Sequence, residues 1–140
     1  MEVARWFVAW AKEDEADISN LKLQKILYYA QGHYLARNSS PLFNDDIQAW
    51  AHGPVVPAVY HAFKNFGSGD VEIDEAYDWS TIDDDSTQFL IEVWATFGQY
   101  GAWRLRQMTH EELPWKKHFV EDMSRIVIPQ AELREFFAAA

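Results

Sequence analysis

Five histidines are the side chains of this sequence best suited to chemistry at neutral pH: His33, His52, His61, His110 and His118. An imidazole can take up or release a proton there, or bind a metal. No two of them stand at i and i+4, the spacing that sets two rings on one helical face as zinc ligands. His110-Glu111-Glu112 opens like a zinc-protease signature, but Pro114 occupies the place of the second histidine. A metal-assisted hydrolase would therefore have to assemble His52, His110 and an acid from distant parts of the chain. Glu111 and Glu112 could serve as acid and base, yet adjacent carboxylates near a helix end also serve as caps and solvated charges. Nucleophilic chemistry has less to work with. There is no Cys, no Gly-x-Ser-x-Gly elbow and no glycine-rich phosphate loop. Ser39, Ser40, Ser80 and Ser86 lie in cap or turn contexts that account for them. The expectation is a binding protein without catalytic residues, cofactor or metal.

Two stiff corners must position anything the chain presents. In Trp50-Ala51-His52-Gly53-Pro54-Val55-Val56-Pro57 two prolines bracket two valines. Proline fixes its own φ and biases the preceding residue away from the helical region, while Gly53 supplies a conformation few residues tolerate. Pro57 suits the first turn of a helix carrying Val59, Tyr60 and Phe63, where its missing N–H costs nothing. The second corner is Thr109-His110-Glu111-Glu112-Leu113-Pro114-Trp115. If the two lie together, Trp50, His52, Gly53, Pro54, Val55, Pro57, Tyr60, Thr109, His110, Glu112, Trp115 and Lys116 form a surface for another polypeptide. Alternatively, His52 and His110 are structural and lock the turns by hydrogen bonds to backbone carbonyls.

The elements around these corners read as helices. Val3, Phe7, Val8 and Trp10 predict a helix from Glu2 to about Lys12. Ser19 or Asn20 can cap a second, in which Leu23, Ile26, Leu27, Ala30 and Tyr34 make an amphipathic stripe ending near Arg37. Asn44-Asp45-Asp46 can cap a short element carrying Ile47 and Trp50. A helix from Pro57 to Phe66 closes at Gly67 in a left-handed cap. Asp85 with Gln88 resembles a capping box for the helix of Phe89, Leu90, Val93, Trp94 and Phe97, which closes at Gly98. Leu105 and Met108 mark a short helix, Arg125 to Ile128 an extended piece, and Leu133, Phe136 and Phe137 a last helix. The fold class expected is mainly α: one compact domain over residues 1–140, about six helices, and at most a minor short β-strand pair.

Composition supports that reading. The chain has 140 residues, 49% hydrophobic and 16% aromatic, enough to bury a sizeable core. Trp50, Trp79, Trp103 and Trp115 fall at corners or loop edges, where aromatics often anchor protein interfaces. No apolar run approaches a membrane span, the start lacks a signal-peptide layout, and the absence of Cys fits a reducing cytoplasm. Of 22 acids, nine lie between Lys64 and Arg104 with no base among them, leaving thirteen acids against twelve bases elsewhere. That block disfavours direct nucleic-acid binding and would attract a basic partner, with Asp83-Asp84-Asp85 as its densest run.

At three segments the chain resembles a known family, the Panacea domain of SocA-like antitoxins and GepA-type phage-associated proteins. They are Leu21-Lys22-Leu23-Gln24-Lys25-Ile26-Leu27-Tyr28-Tyr29-Ala30-Gln31-Gly32, the first proline corner, and Leu105-Arg106-Gln107-Met108-Thr109-His110-Glu111-Glu112-Leu113-Pro114-Trp115. The resemblance spans roughly Leu21 to Phe137 and does not include the acidic loop. It implies a mostly helical cytoplasmic domain that neutralises a co-encoded protein toxin by direct binding, in the manner of a type II toxin–antitoxin system. A second implied route is that of a proteolytic adaptor, which delivers the toxin to an ATP-dependent protease.

Overall fold

Helix α2 (Asn20–Asn38) is the axis on which the other elements hang. The computed structural model describes residues 1–73, 76–123 and 125–139, so two acids of the central block, Asp74 and Glu75, lie outside it. Ser19 caps α2, its hydroxyl accepting from Lys22 N–H at 3.2 Å, and Ser39 closes it at φ 59°. The stripe of Leu23, Ile26, Leu27 and Ala30 is buried as its spacing predicts, and Tyr34 is half-buried. The amphipathic reading nevertheless fails on the other side. Lys22, Gln24, Lys25 and Gln31 are buried too, and α2 is an interior helix. Periodicity could not reveal this, because the segments that cover the polar side come from far along the chain.

Around α2 stand α1 (Glu2–Glu13), α3 (Pro57–Phe63), α4 (Asp84–Phe97), α5 (Ala102–His110) and α7 (Gln130–Ala139), with the short α6 (Leu113–His118) between α5 and α7. The described residues thus form seven α-helices where the sequence predicts about six. Trp6, Phe7, Leu23, Ile26, Tyr28, Leu90, Leu105 and Leu133 meet in the core, each under 2% exposed. None of the described helices is long and apolar enough to cross a membrane.

The expected strand pair is β1 (Gln48–Trp50) with β2 (Gly53–Val55), antiparallel, Trp50 facing Gly53 and Ala49 facing Pro54. The element carrying Ile47 and Trp50 is therefore a strand, with no helix for Asn44-Asp45-Asp46 to cap. Proline is tolerated in β2 because Ala49, opposite it, sends its own N–H the other way, to Ile126 O at 2.9 Å. Ile128 N–H reaches Ile47 O at 2.8 Å, so residues 126–128 line the outer edge of β1 as the predicted extended piece. Gly53 has φ 115°, the backbone freedom its place demanded.

Three boundaries differ from the sequence reading. Helix α3 stops at Phe63 and continues as a 3-10 turn, Lys64–Phe66. Gly67 then takes φ 58° with ψ −129°, outside the left-handed helical well expected of a cap. Helix α4 is capped by Asp83, whose carboxylate accepts from Ser86 N–H at 2.7 Å, and not by Asp85. In a run of three aspartates each is a candidate cap. Only Asp83 has the extended backbone, φ −62° and ψ 162°, that turns the side chain back over the first turn.

Candidate partner-binding site

The two corners meet. The Trp115 indole Nε1–H donates to the Trp50 carbonyl at 2.7 Å, tying α6 to the end of β1. Trp115 is itself held between rings: His110 stacks on it at 3.9 Å and 3°, Phe119 at 4.7 Å and 12°. Pro114 within the first two positions of α6 fixes the entry of that short helix. Arg106 Nε–H donates to His52 Nδ1 at 3.2 Å, joining α5 to the hairpin turn. An accepting Nδ1 leaves the His52 proton on Nε2. Burial first, then the charges of Arg106, Lys25 and His52, lower the pKa of His110, with the His52 backbone acting in the opposite sense. His110 Nε2 is buried and has no hydrogen-bond partner among the described residues.

Helix α2 holds both corners from beneath through side chains that look like surface residues in the sequence. Gln24 Oε1 accepts from Val56 N–H at 2.8 Å while its Nε2 donates to Asn20 Oδ1 at 2.9 Å, and Asn20 Nδ2 donates to Tyr60 O at 3.1 Å. Lys25 Nζ donates to Pro54 O at 2.9 Å. A Cβ on Gly53 would lie 2.6 Å from Lys25 Cε and 3.0 Å from Thr109 Oγ1, so hairpin, α2 and α5 close on one point. Tyr28 and Tyr29 each donate to one carboxylate oxygen of Glu112, both at 3.1 Å. Burial pushes the Glu112 carboxyl up to about 7, partly offset by the two tyrosine hydrogen bonds.

Residues 23–116 match the family described as "Antitoxin SocA-like, Panacea domain". The chain belongs to that family. Within a 50-residue stretch it is 50% identical to Antitoxin SocA of Caulobacter vibrioides (strain NA1000 / CB15N), covering 36% of this chain. The match spans only 27% of that relative's length. No solved structure matches significantly. The span shared with the Panacea family starts in the polar ladder of α2 and ends in α6, so it encloses both corners, whereas α1 and α7 lie outside it.

The Panacea scaffold opens one groove of about 480 Å³ beside the hairpin. Trp50, His52, Val55 and Tyr60, all expected at a partner surface, line it, together with Leu21, Lys64 and Trp103. Trp50 and Tyr60 pack edge to face at 5.0 Å, and Trp103 is 65% exposed. The other expected residues stand behind or beside this groove. Gly53, Pro54, Thr109 and Trp115 are buried, Pro57, His110 and Glu112 half-buried, and Lys116 exposed on α6. The four corner tryptophans do not share a face. Trp79 packs across Trp6 and Trp10, with ring centroids at 6.2 and 5.9 Å, because its loop folds back over α1. Asp83, Asp84 and Asp85 are exposed at the start of α4.

His52 and His110 do come together, but the charges that bear on His110 are those of bases. Among the described residues no three of His, Asp or Glu are placed to hold a metal ion. The carboxylate a hydrolase would need there, Glu112, is instead engaged by Tyr28 and Tyr29. Sequence reasoning missed Arg106, Leu21, Lys64 and Trp103 as neighbours of the corner. Arg106 lies inside the segment from Leu105 to Trp115 that carries the family resemblance, and so had a usable signal. Leu21 and Lys64 look like ordinary helix-surface residues, and Trp103 was legible only as an aromatic at a loop edge.

Proposed function

We propose that this chain is an antitoxin module that neutralises a co-encoded protein toxin by direct binding at the groove between the hairpin, α2, α3 and the start of α5. The observation that carries this reading is the Trp115–Trp50 hydrogen bond, which sets exposed aromatic and imidazole groups on a stiff frame in an antitoxin family. Trp50, His52, Tyr60 and Trp103 touch the toxin, with the buried Val55 beneath them. Gly53, Pro54, Pro57, Thr109, His110, Glu112 and Trp115 hold those residues in place, and Lys116 adds a cation beside the second corner. Rigid aromatic anchors suit such a task because they bury large area with few rotors to freeze. The acidic run Asp83-Asp84-Asp85 steers a basic toxin surface toward the complex, an attraction that weakens with salt.

The test is co-expression with the product of the neighbouring gene. Wild type is expected to co-purify with it and restore growth. Trp103→Ala and His52→Ala, with helicity unchanged by circular dichroism, should weaken the complex by about tenfold or more. Unchanged neutralisation by both variants would remove the groove from the interface. Growth rescue that vanishes in a strain lacking ATP-dependent proteases, without a stable two-protein complex, would replace direct binding with delivery for degradation.

A further inference from the structure

The charge around the hairpin end of the groove is opposite to that of the protein as a whole. The chain carries a formal net charge of −10, yet the charged side chains at this groove are the cations Arg106 and Lys64, with buried Lys25 beneath and the imidazoles His52 and His110 beside them. Lys25 feels Arg106, and His110 feels Arg106, Lys25 and His52; among the described residues no carboxylate acts on either. The acidic pair Asp17 and Asp70 beside Ser19 acts instead on Lys22. Arg106 spends Nε on His52 and lies over the exposed Trp103 ring at 5.1 Å, so its terminal N–H groups are held at the groove end by a hydrogen bond and a ring face. Lys64 lines the same groove and makes no ion pair with the described residues.

We infer that the groove takes an acidic, apolar segment of the partner chain: an aromatic or branched side chain seats among Leu21, Trp50, Tyr60 and Trp103, and a neighbouring Asp or Glu side chain pairs with Arg106. This rests on the antitoxin reading and specifies its partner's chemistry. Three features favour it. A guanidinium presents a planar fork that matches a carboxylate, and its nearest fixed partner here is an uncharged imidazole nitrogen. Arg106, like Lys64, makes no ion pair with the described residues, so an incoming carboxylate displaces none. Lys64 supplies a second cation along the groove, which a segment with spaced acidic side chains uses and a lone chain terminus does not. The toxin would then be bipolar, its acidic segment in the groove and its basic surface facing the start of α4.

The experiment uses two end-blocked, fluorescein-labelled ten-residue peptides on the full chain, followed by anisotropy. One alternates Glu with Leu and Phe; the other carries Lys for every Glu. Overall charge predicts that the Lys peptide binds better. The groove predicts the reverse, with the Glu peptide bound about tenfold more tightly, weakened about tenfold by Arg106→Glu and by Trp103→Ala. Trp103 is exposed and outside the core, so its variant keeps the test valid if Arg106→Glu does not fold. Preference for the Lys peptide, binding of neither, or Glu-peptide binding indifferent to both variants would overturn the inference. Peptide preference as expected with no toxin complex would overturn the antitoxin reading alone. A toxin complex without peptide preference would overturn this inference alone.

Discussion

Lys25 Nζ donates to the carbonyl of Pro54 at 2.9 Å from a side chain that is wholly out of water. A lysine has three donors, and among the described residues this hydrogen bond engages one of them. Burial, and secondarily Arg106, pull its pKa down to about 7. Glu112 is the counterpart on the second corner, pushed up to about 7 by burial. The helix thus holds each corner through a group that is costly to keep charged.

These two groups give stability an unusual pH profile. Between about 4.5 and 7 the folded chain holds a proton on Glu112 that the unfolded chain has released, so stability falls as pH rises. Between about 7 and 10.5 the unfolded chain binds the proton on Lys25 that the folded chain lacks, so stability rises with pH. Each limb has a slope of up to about 1.4 kcal/mol per pH unit. Urea unfolding at about pH 5, 7 and 9 checks this by difference, whatever the other titrating groups contribute. Glu112→Gln should flatten the acid limb relative to wild type and Lys25→Met the alkaline limb; parallel curves would refute the assignment.

Trp115→Phe keeps a ring between His110 and Phe119 but deletes the N–H that reaches Trp50 O. A part-buried carbonyl left without its donor should cost about 1–3 kcal/mol. The loss should appear both in the denaturation midpoint and as faster amide exchange across residues 48–55. Equal exchange in the two proteins would mean that the indole does not lock the hairpin.

Gly53→Ala meets two obstacles together. At φ 115° an L side chain is strained, and the new methyl would meet Lys25 Cε at 2.6 Å. Strain of this kind costs on the order of 1–3 kcal/mol before any clash is relieved. Thermal unfolding should show a marked drop, and Lys25→Ala should partly rescue it by vacating the space. A drop that persists in full in the double variant would assign the cost to backbone strain alone.

The cap of α4 separates Asp83 from its neighbours. Asp83→Ala removes the acceptor for Ser86 N–H and should lower the thermal midpoint, whereas Asp85→Ala should leave it nearly unchanged. If binding of a basic toxin weakens equally in both while only the first loses stability, steering and capping are distinct roles of this run.

Local physics made much of the architecture legible before any fold was known. Helical spacing located α1, α2, α4 and α7, and the fixed φ of Pro54 and Pro57 with the freedom of Gly53 marked a corner before α3, since these backbone preferences belong to the residue itself. What spacing alone could not tell was which side of α2 meets water. Lys22, Gln24, Lys25 and Gln31 read as its solvent face, but Gly98, Val56, Pro54 and Leu42, reached only through the folded chain, cover it with backbone groups that need hydrogen-bond partners. The same holds for the site. The residues of both corners could be named from the sequence. That Trp115 bonds to Trp50, that Trp79 turns away to Trp6 and Trp10, and that Arg106 brings a positive mouth to an acidic protein depend on elements 50 or more residues apart. A residue's type and neighbours dictate its backbone and its period; what finally lies against it is decided by the packing of the whole chain.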